Sequence, residues 1–173
     1  MSASRIDPTP RLPLTRLSTP ELFVVASLRL WALPRWSAAA PCSDWRAGLM
    51  QANIDIEGIL GFSAFCSTLV ASALEPVKVH AVHCPHLGEH EAWVLQVLSL
   101  MQHDQLAAAE AALAHRCAPV GVRLALDSAQ RFARALEAQR LRLPCRLDPR
   151  GFNEHVQWRS RDEVHPPEST LTH

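Results

Sequence analysis

The chain has 173 residues, with 17 basic and 17 acidic side chains, 48% hydrophobic residues and 20% charged ones. This is the composition of a soluble globular domain, and it excludes a disordered, collagen-like or disulfide-dense chain. A formal net charge of zero argues against a protein built around nucleic acid or anionic lipid.

The first 17 residues carry Pro8, Pro10 and Pro13 among scattered Arg and Ser, and read as a flexible arm. A helix then begins, with Thr19 as cap, Pro20 at the first helical position and Glu21 at the positive end of the dipole. Leu22, Val25, Ala26, Leu28 and Arg29 continue at helical spacing. Pro34 is expected to end the helix, because it lacks an N–H and restricts Leu33. Trp31 and Trp36 are expected to cover one end of the core. After a connection over 34–43, Ser43 or Asp44 caps a second helix over about 45–54. A third helix covers Ile56 to Leu74, joined to the second either continuously or through a kink. It is apolar on almost every side, which places it at the centre of a bundle. Its uncharged run, Ile59 to Leu74, falls short of the roughly 20 residues a membrane span needs.

Pro76 ends the third helix, and Val77–Val82 reads as an extended linker crossing the bundle. Pro85 marks a turn. Gly88 caps the next helix, and Glu91 stands where a carboxylate reaches back to the cap. On this fourth helix His90, Val94, Val97 and Met101 share a face. An Ala-rich helix from about Asp104, its cap, to His115 comes next. Pro119 opens the last helix, whose stripe of Val122, Leu126, Ala129, Ala133 and Leu136 is one-sided. From Pro144 to His173 the chain turns polar and reads as a disordered tail. The expected architecture is all-α: a compact bundle of about five or six helices over residues 18–143, between the arm and the tail. Residues 44–91 are acidic on balance and 116–146 basic, so the two regions either face each other or are separately solvated.

The five cysteines, at 42, 66, 84, 117 and 145, are odd in number and widely spaced, with no CxxC pair. They predict reduced thiols and a cytoplasmic protein rather than a disulfide framework, with Cys66 a small core hydrophobe. One cluster is chemical in character. His80, His83, Cys84, His86 and His90 fall within a short stretch, and imidazole and thiolate are the preferred ligands of zinc. The spacing fits no standard zinc pattern, so the alternatives are a metal site or histidines on a linker and a helix start. Cys84 is also a candidate reactive thiol, because a helix N-terminus and neighbouring imidazolium groups lower a thiol pKa. No phosphate-binding glycine loop, HExxH motif or catalytic constellation is present.

Leu22–Ala26 followed by Arg29, then Asp44 leading into the apolar helix, then Cys84-Pro85 and Glu91, resemble a small family of uncharacterised proteobacterial proteins. In that family an Arg-Arg-Met helix precedes a cysteine-rich turn ending Cys-Pro and a capped helix with an acidic third residue. The resemblance covers about residues 17–143. Here Arg29 stands alone in the paired-arginine region, Cys84 alone remains of the cysteine run, and Gly88 replaces the hydroxyl cap. The family brings no established activity. It implies a compact helical domain and singles out Cys84, Pro85 and Glu91 as a structural or functional turn.

The leading expectation is a regulatory or protein-interaction module without catalysis of its own. It would bind a protein partner or a second copy, with tryptophans as anchors if they are exposed. The alternative is a metal-binding or thiol-based sensor at residues 80–90.

Overall fold

The computed structural model describes residues 12–36 and 44–145. The expectations for residues 1–11, for the connection over 37–43 and for the tail over 146–173 lie outside the described residues. So do those for the side chain of Trp36. Among the described residues the fold is all-α, with six α-helices: α1 Thr19–Trp36, α2 Trp45–Gln51, α3 Ile56–Ser72, α4 Glu89–Gln102, α5 Leu106–Ala114 and α6 Pro119–Ala138. No helix among them is long and apolar enough to cross a membrane.

The local signals place most of the boundaries. Asp44 caps α2 through the Arg46 N–H at 3.0 Å. Asp55 caps α3 through the Gly58 N–H at 2.7 Å. Asn53 adopts a left-handed φ of 56°, which breaks the chain between α2 and α3 and settles that junction as a turn. Asn tolerates this conformation better than most residues. Pro119 opens α6, and Val122, Ala129, Ala133 and Leu136 are buried as the stripe requires.

Several boundaries differ from expectation, and α2 and α3 stop early, at Gln51 rather than about 54 and at Ser72 rather than Leu74. The cap of α1 is Ser18 rather than Thr19. Both the Ser18 N–H and its hydroxyl donate to Glu21 Oε2 at 2.7 Å. The helix also continues past Pro34 to Trp36. In the final turn a proline costs one backbone hydrogen bond, with little helix left to disrupt. Asp104 does not cap α5. It takes a left-handed φ of 55° in the turn after α4, and Gln105 holds the N-cap position.

The larger difference concerns which helix is central. Twelve of the 14 residues of α4 are buried, whereas α3 leaves Ile56, Leu60 and Val70 exposed. The polar groups in the last turn of α4 are satisfied by backbone. Gln102 donates to the carbonyls of Ala133 and Leu141 and accepts from the Leu143 N–H at 2.8 Å. Ser99 donates to the Pro144 carbonyl at 3.0 Å. These bonds fold residues 141–144 back along α4.

Helices α3 and α6 pack antiparallel at very close range, and glycine makes this possible. A Cβ on Gly58 would lie 2.4 Å from the Ala135 Cβ, and one on Gly121 would lie 2.1 Å from the Ser72 Cβ. The acidic and basic regions therefore do face each other here, but through small and apolar groups. Among the described residues one ion pair, Glu89 with Arg116, joins them.

Gly121→Ala should test this packing. Alanine has the better helix propensity, yet its methyl has no room, and overpacking costs about 1–3 kcal/mol. A lower melting temperature in a thermal unfolding scan is the expected outcome. An unchanged or raised one would contradict the close α3–α6 contact.

Candidate functional site

The corner between α3 and α4 is organised by a buried ion pair that the cluster of histidines does not announce. Arg29, on α1, and Glu91, on the first turn of α4, have side chains 1% and 0% exposed. The Arg29 Nε donates to Glu91 Oε1 and its Nη2 to Oε2, both at 2.8 Å. The guanidinium also donates to the carbonyls of Cys84 and His86, each at 2.7 Å. The carboxylate accepts two further bonds, from the His80 N–H at 2.9 Å and the Gly88 N–H at 2.8 Å. Each carboxylate oxygen thus receives two donors. Burial alone would raise the Glu91 pKa, but the Arg29 bond and the two backbone N–H groups outweigh it and hold the carboxyl below its ordinary value.

The chain ahead of α1 joins the same corner. Leu14 N–H donates to the Pro85 carbonyl, and Leu87 N–H to the Leu12 carbonyl, both at 2.8 Å. Leu17 is buried. Residues 12–17, expected as part of a flexible arm, are therefore paired with the 85–87 turn. The physical reason is that extended backbone beside a turn offers N–H and C=O groups that this stretch can satisfy.

Of the five candidate ligands, the corner brings two side chains together. Cys84 Sγ lies 3.5 Å from His80 Nδ1, and both residues are partly exposed. The same Nδ1 is 3.1 Å from the His86 carbonyl. A carbonyl only accepts, so this contact is a hydrogen bond in the tautomer that carries the proton on Nδ1. In that tautomer Nδ1 is neither a base toward Cys84 nor a metal ligand. His86 contributes its backbone, and His83 is exposed. His90 is buried and turned to other partners. Its Nδ1 is 3.4 Å from the Lys78 N–H, its Nε2 is 3.4 Å from Arg116, and its ring meets Trp93 edge-on. Burial, with the Arg116 charge, pushes the His90 pKa down. Among the described residues no group of three or more His, Cys, Asp or Glu side chains is placed to hold a metal ion. A tetrahedral zinc site needs four donors.

Two other features were not expected. An apolar cavity of about 370 Å³ lies between α1, α3, α4 and the 76–79 linker, lined by Leu28, Trp31, Val70, Val79 and others. Its lining holds no carboxylate, imidazole or amine, so nothing there would orient a polar substrate. The second feature is a set of exposed apolar side chains on α3, just beyond its end and on the early turns of α6. Ile56, Leu60 and Leu74 are 61%, 52% and 67% exposed, and Val120 and Leu124 of α6 are 62% and 59% exposed. Ala64 and Ala71 lie exposed between them. Between Glu57 and Glu75 the sequence has no charged residue. The sequence signal is the all-round apolar character of α3, which predicts a central helix and not an uncovered side. The tryptophans do not supply surface anchors among the described side chains: Trp31, Trp45 and Trp93 are all buried.

No protein-family model, curated protein or solved structure matches the chain.

Glu91→Gln should destabilise the fold by about 3–5 kcal/mol, the usual cost of breaking one side of a buried pair. The amide would set its own N–H groups against donors. The pH dependence should follow. A carboxyl whose folded pKa is depressed contributes stability that is complete above its unfolded value, about 4.3, and is lost as pH falls through the folded value. Chemical denaturation of the wild type should therefore show a loss of stability below that pH. The loss should be larger than in Glu91→Gln, and equal slopes would contradict it.

Proposed function

We propose that this protein is a small helical module of regulatory or interaction type, without catalysis of its own, that acts by presenting its α3–α6 face to a protein. One observation carries the reading. Ile56, Leu60 and Leu74, with Val120 and Leu124 of α6, are large apolar side chains left exposed, and no charged residue stands between Glu57 and Glu75. Isolated apolar side chains on a surface are ordinary, but a continuous patch marks an interaction site. The Cys84–His80 corner supports the same reading, since its backbone and charges are committed to holding structure. A cytoplasmic setting belongs to the proposal. None of the described cysteines, Cys66, Cys84, Cys117 and Cys145, forms a disulfide.

The test is a pair of immobilised baits, wild type and Leu60→Glu/Leu124→Glu. Both positions are exposed, so the double variant should fold with stability close to wild type, which circular dichroism and melting will check. The expected result is that the wild-type bait retains a protein, its own chain or another, that the variant loses. Equal retention by both baits would remove the face as the working surface.

The Cys84–His80 contact favours a second reading, a thiol-based sensor. Its test is the rate of iodoacetamide alkylation, followed residue by residue by peptide mass spectrometry at neutral pH. A sensor requires Cys84 to react well ahead of Cys145, which is also half-buried. Comparable rates would leave Cys84 a structural residue of the corner.

A further inference from the structure

We infer that the cavity between α1, α3, α4 and the 76–79 linker is a binding site for a small, uncharged, apolar molecule, about the size of a two-ring aromatic. The site uses none of Ile56, Leu60, Leu74, Val120 and Leu124. It therefore stands apart from the α3–α6 face, and neither reading depends on the other.

The space is built into the contacts between elements. To its wall α1 gives Ala32, α3 gives Cys66 and α4 gives Val94, all buried and none large. On the fourth side the linker crosses as extended chain. Val77 and Val79, two residues apart, both line the cavity, while Lys78 between them is exposed. This crossing is pinned at both ends. Leu74 N–H donates to the Arg116 carbonyl and His80 N–H to Glu91 Oε1, each at 2.9 Å. Between the pins, the Lys78 N–H reaches His90 Nδ1 at 3.4 Å, well beyond the usual length of such a bond. Val70 and Pro76 are the exposed members of the lining, and they mark its mouth.

The walls select the occupant. Protein interiors are close-packed, with few voids larger than a water molecule. This cavity is about 370 Å³, more than twice the roughly 150 Å³ of an apolar cavity that takes up benzene. A buried water needs roughly two to four polar partners, and the lining side chains are hydrocarbon apart from the Cys66 thiol and the Trp31 indole N–H. A charged ligand would give up its hydration with no ion to receive it. Even one turn of a partner's helix, about 10 Å wide and about 5 Å long, exceeds the volume. An uncharged apolar molecule leaves water at no such cost and meets matching surface on every wall.

The experiment uses the full chain and N-phenyl-1-naphthylamine, an uncharged probe whose fluorescence rises in apolar surroundings. Titration is expected to show one saturable site per chain. Ala32→Leu, which places a larger side chain in the space, should weaken binding by about tenfold or more, with circular dichroism and melting as the check on its fold. Leu60→Glu/Leu124→Glu should bind as wild type does. The same probe carrying a sulfonate on its naphthyl ring should bind about tenfold more weakly, or worse. Nuclear Overhauser contacts in the wild type keep the test independent of any variant's folding: the naphthyl protons should meet the methyl groups of Val79 and Val94. No saturable binding, contacts to Leu60 or Leu124 instead, or equal binding of the sulfonated probe would each overturn the site. So would loss of binding in Leu60→Glu/Leu124→Glu with a folded Ala32→Leu unaffected, since the probe would then lie on the α3–α6 face.

Discussion

The ion pair between Arg29 and Glu91 fixes the position of the chain between α3 and α4, and through it the entry of α4 into the core. Taking two charges out of water costs several kcal/mol for each ion. Here the cost is offset by bonds beyond the pair itself. The carboxylate takes two backbone N–H groups and the guanidinium two backbone carbonyls. The pair therefore does more than join α1 to α4. It satisfies backbone groups of a turn that lies in neither helix nor sheet and whose polar atoms would otherwise face one another or the core. Replacing both residues with apolar ones of similar size would spare the charges but strand the Cys84 carbonyl and the His80 and Gly88 N–H groups. That separates this pair from buried ion pairs that can be exchanged for hydrophobic contacts without loss.

This arrangement also explains why the histidine cluster is dispersed. The backbone of the corner is held from inside, so its side chains follow the direction the backbone gives them. His80 is drawn toward the His86 carbonyl, His83 faces solvent, and His90, on α4, turns to Arg116 and Trp93. Closeness in sequence brought donors of the right type into one segment. The turn then separated them, leaving Cys84 and His80 as neighbours.

Helix existence and most caps were legible in the sequence, because they depend on interactions within four residues. Asp44, Pro119 and the Gly88–Glu91 step are all of this kind. So is the one-sided stripe of α6. The failures lie where a local rule met a second, local or distant, bond. Glu21 reaching Ser18 moved the start of α1, and the turn after α4 took Asp104 for a left-handed position. The pairing of Leu12 and Leu14 with the 85–87 turn could not be read from 12–17 alone. Arg29 gave one usable signal, a charge inside an apolar helix. A charge there is either an interruption or half of a buried pair, and Glu91, already assigned to a cap, concealed its partner.

The exchange of roles between α3 and α4 follows from the same logic. A helix needs a central place only in so far as its apolar surface must leave water, and a helix with polar residues can hold that place if each polar atom is bonded. α4 meets the second condition through Glu91, Ser99 and Gln102, whose partners are a guanidinium and backbone groups. With α4 inside, α3 can bury only the side that meets α6 and the core, and its glycines press it so close to α6 that Leu124 joins the uncovered side. The apolar character of that side is then unexplained by the fold of a single chain. Hydrophobic burial is worth about 25 cal/mol for each Å² removed from water, so exposed side chains of this kind carry a standing driving force toward association.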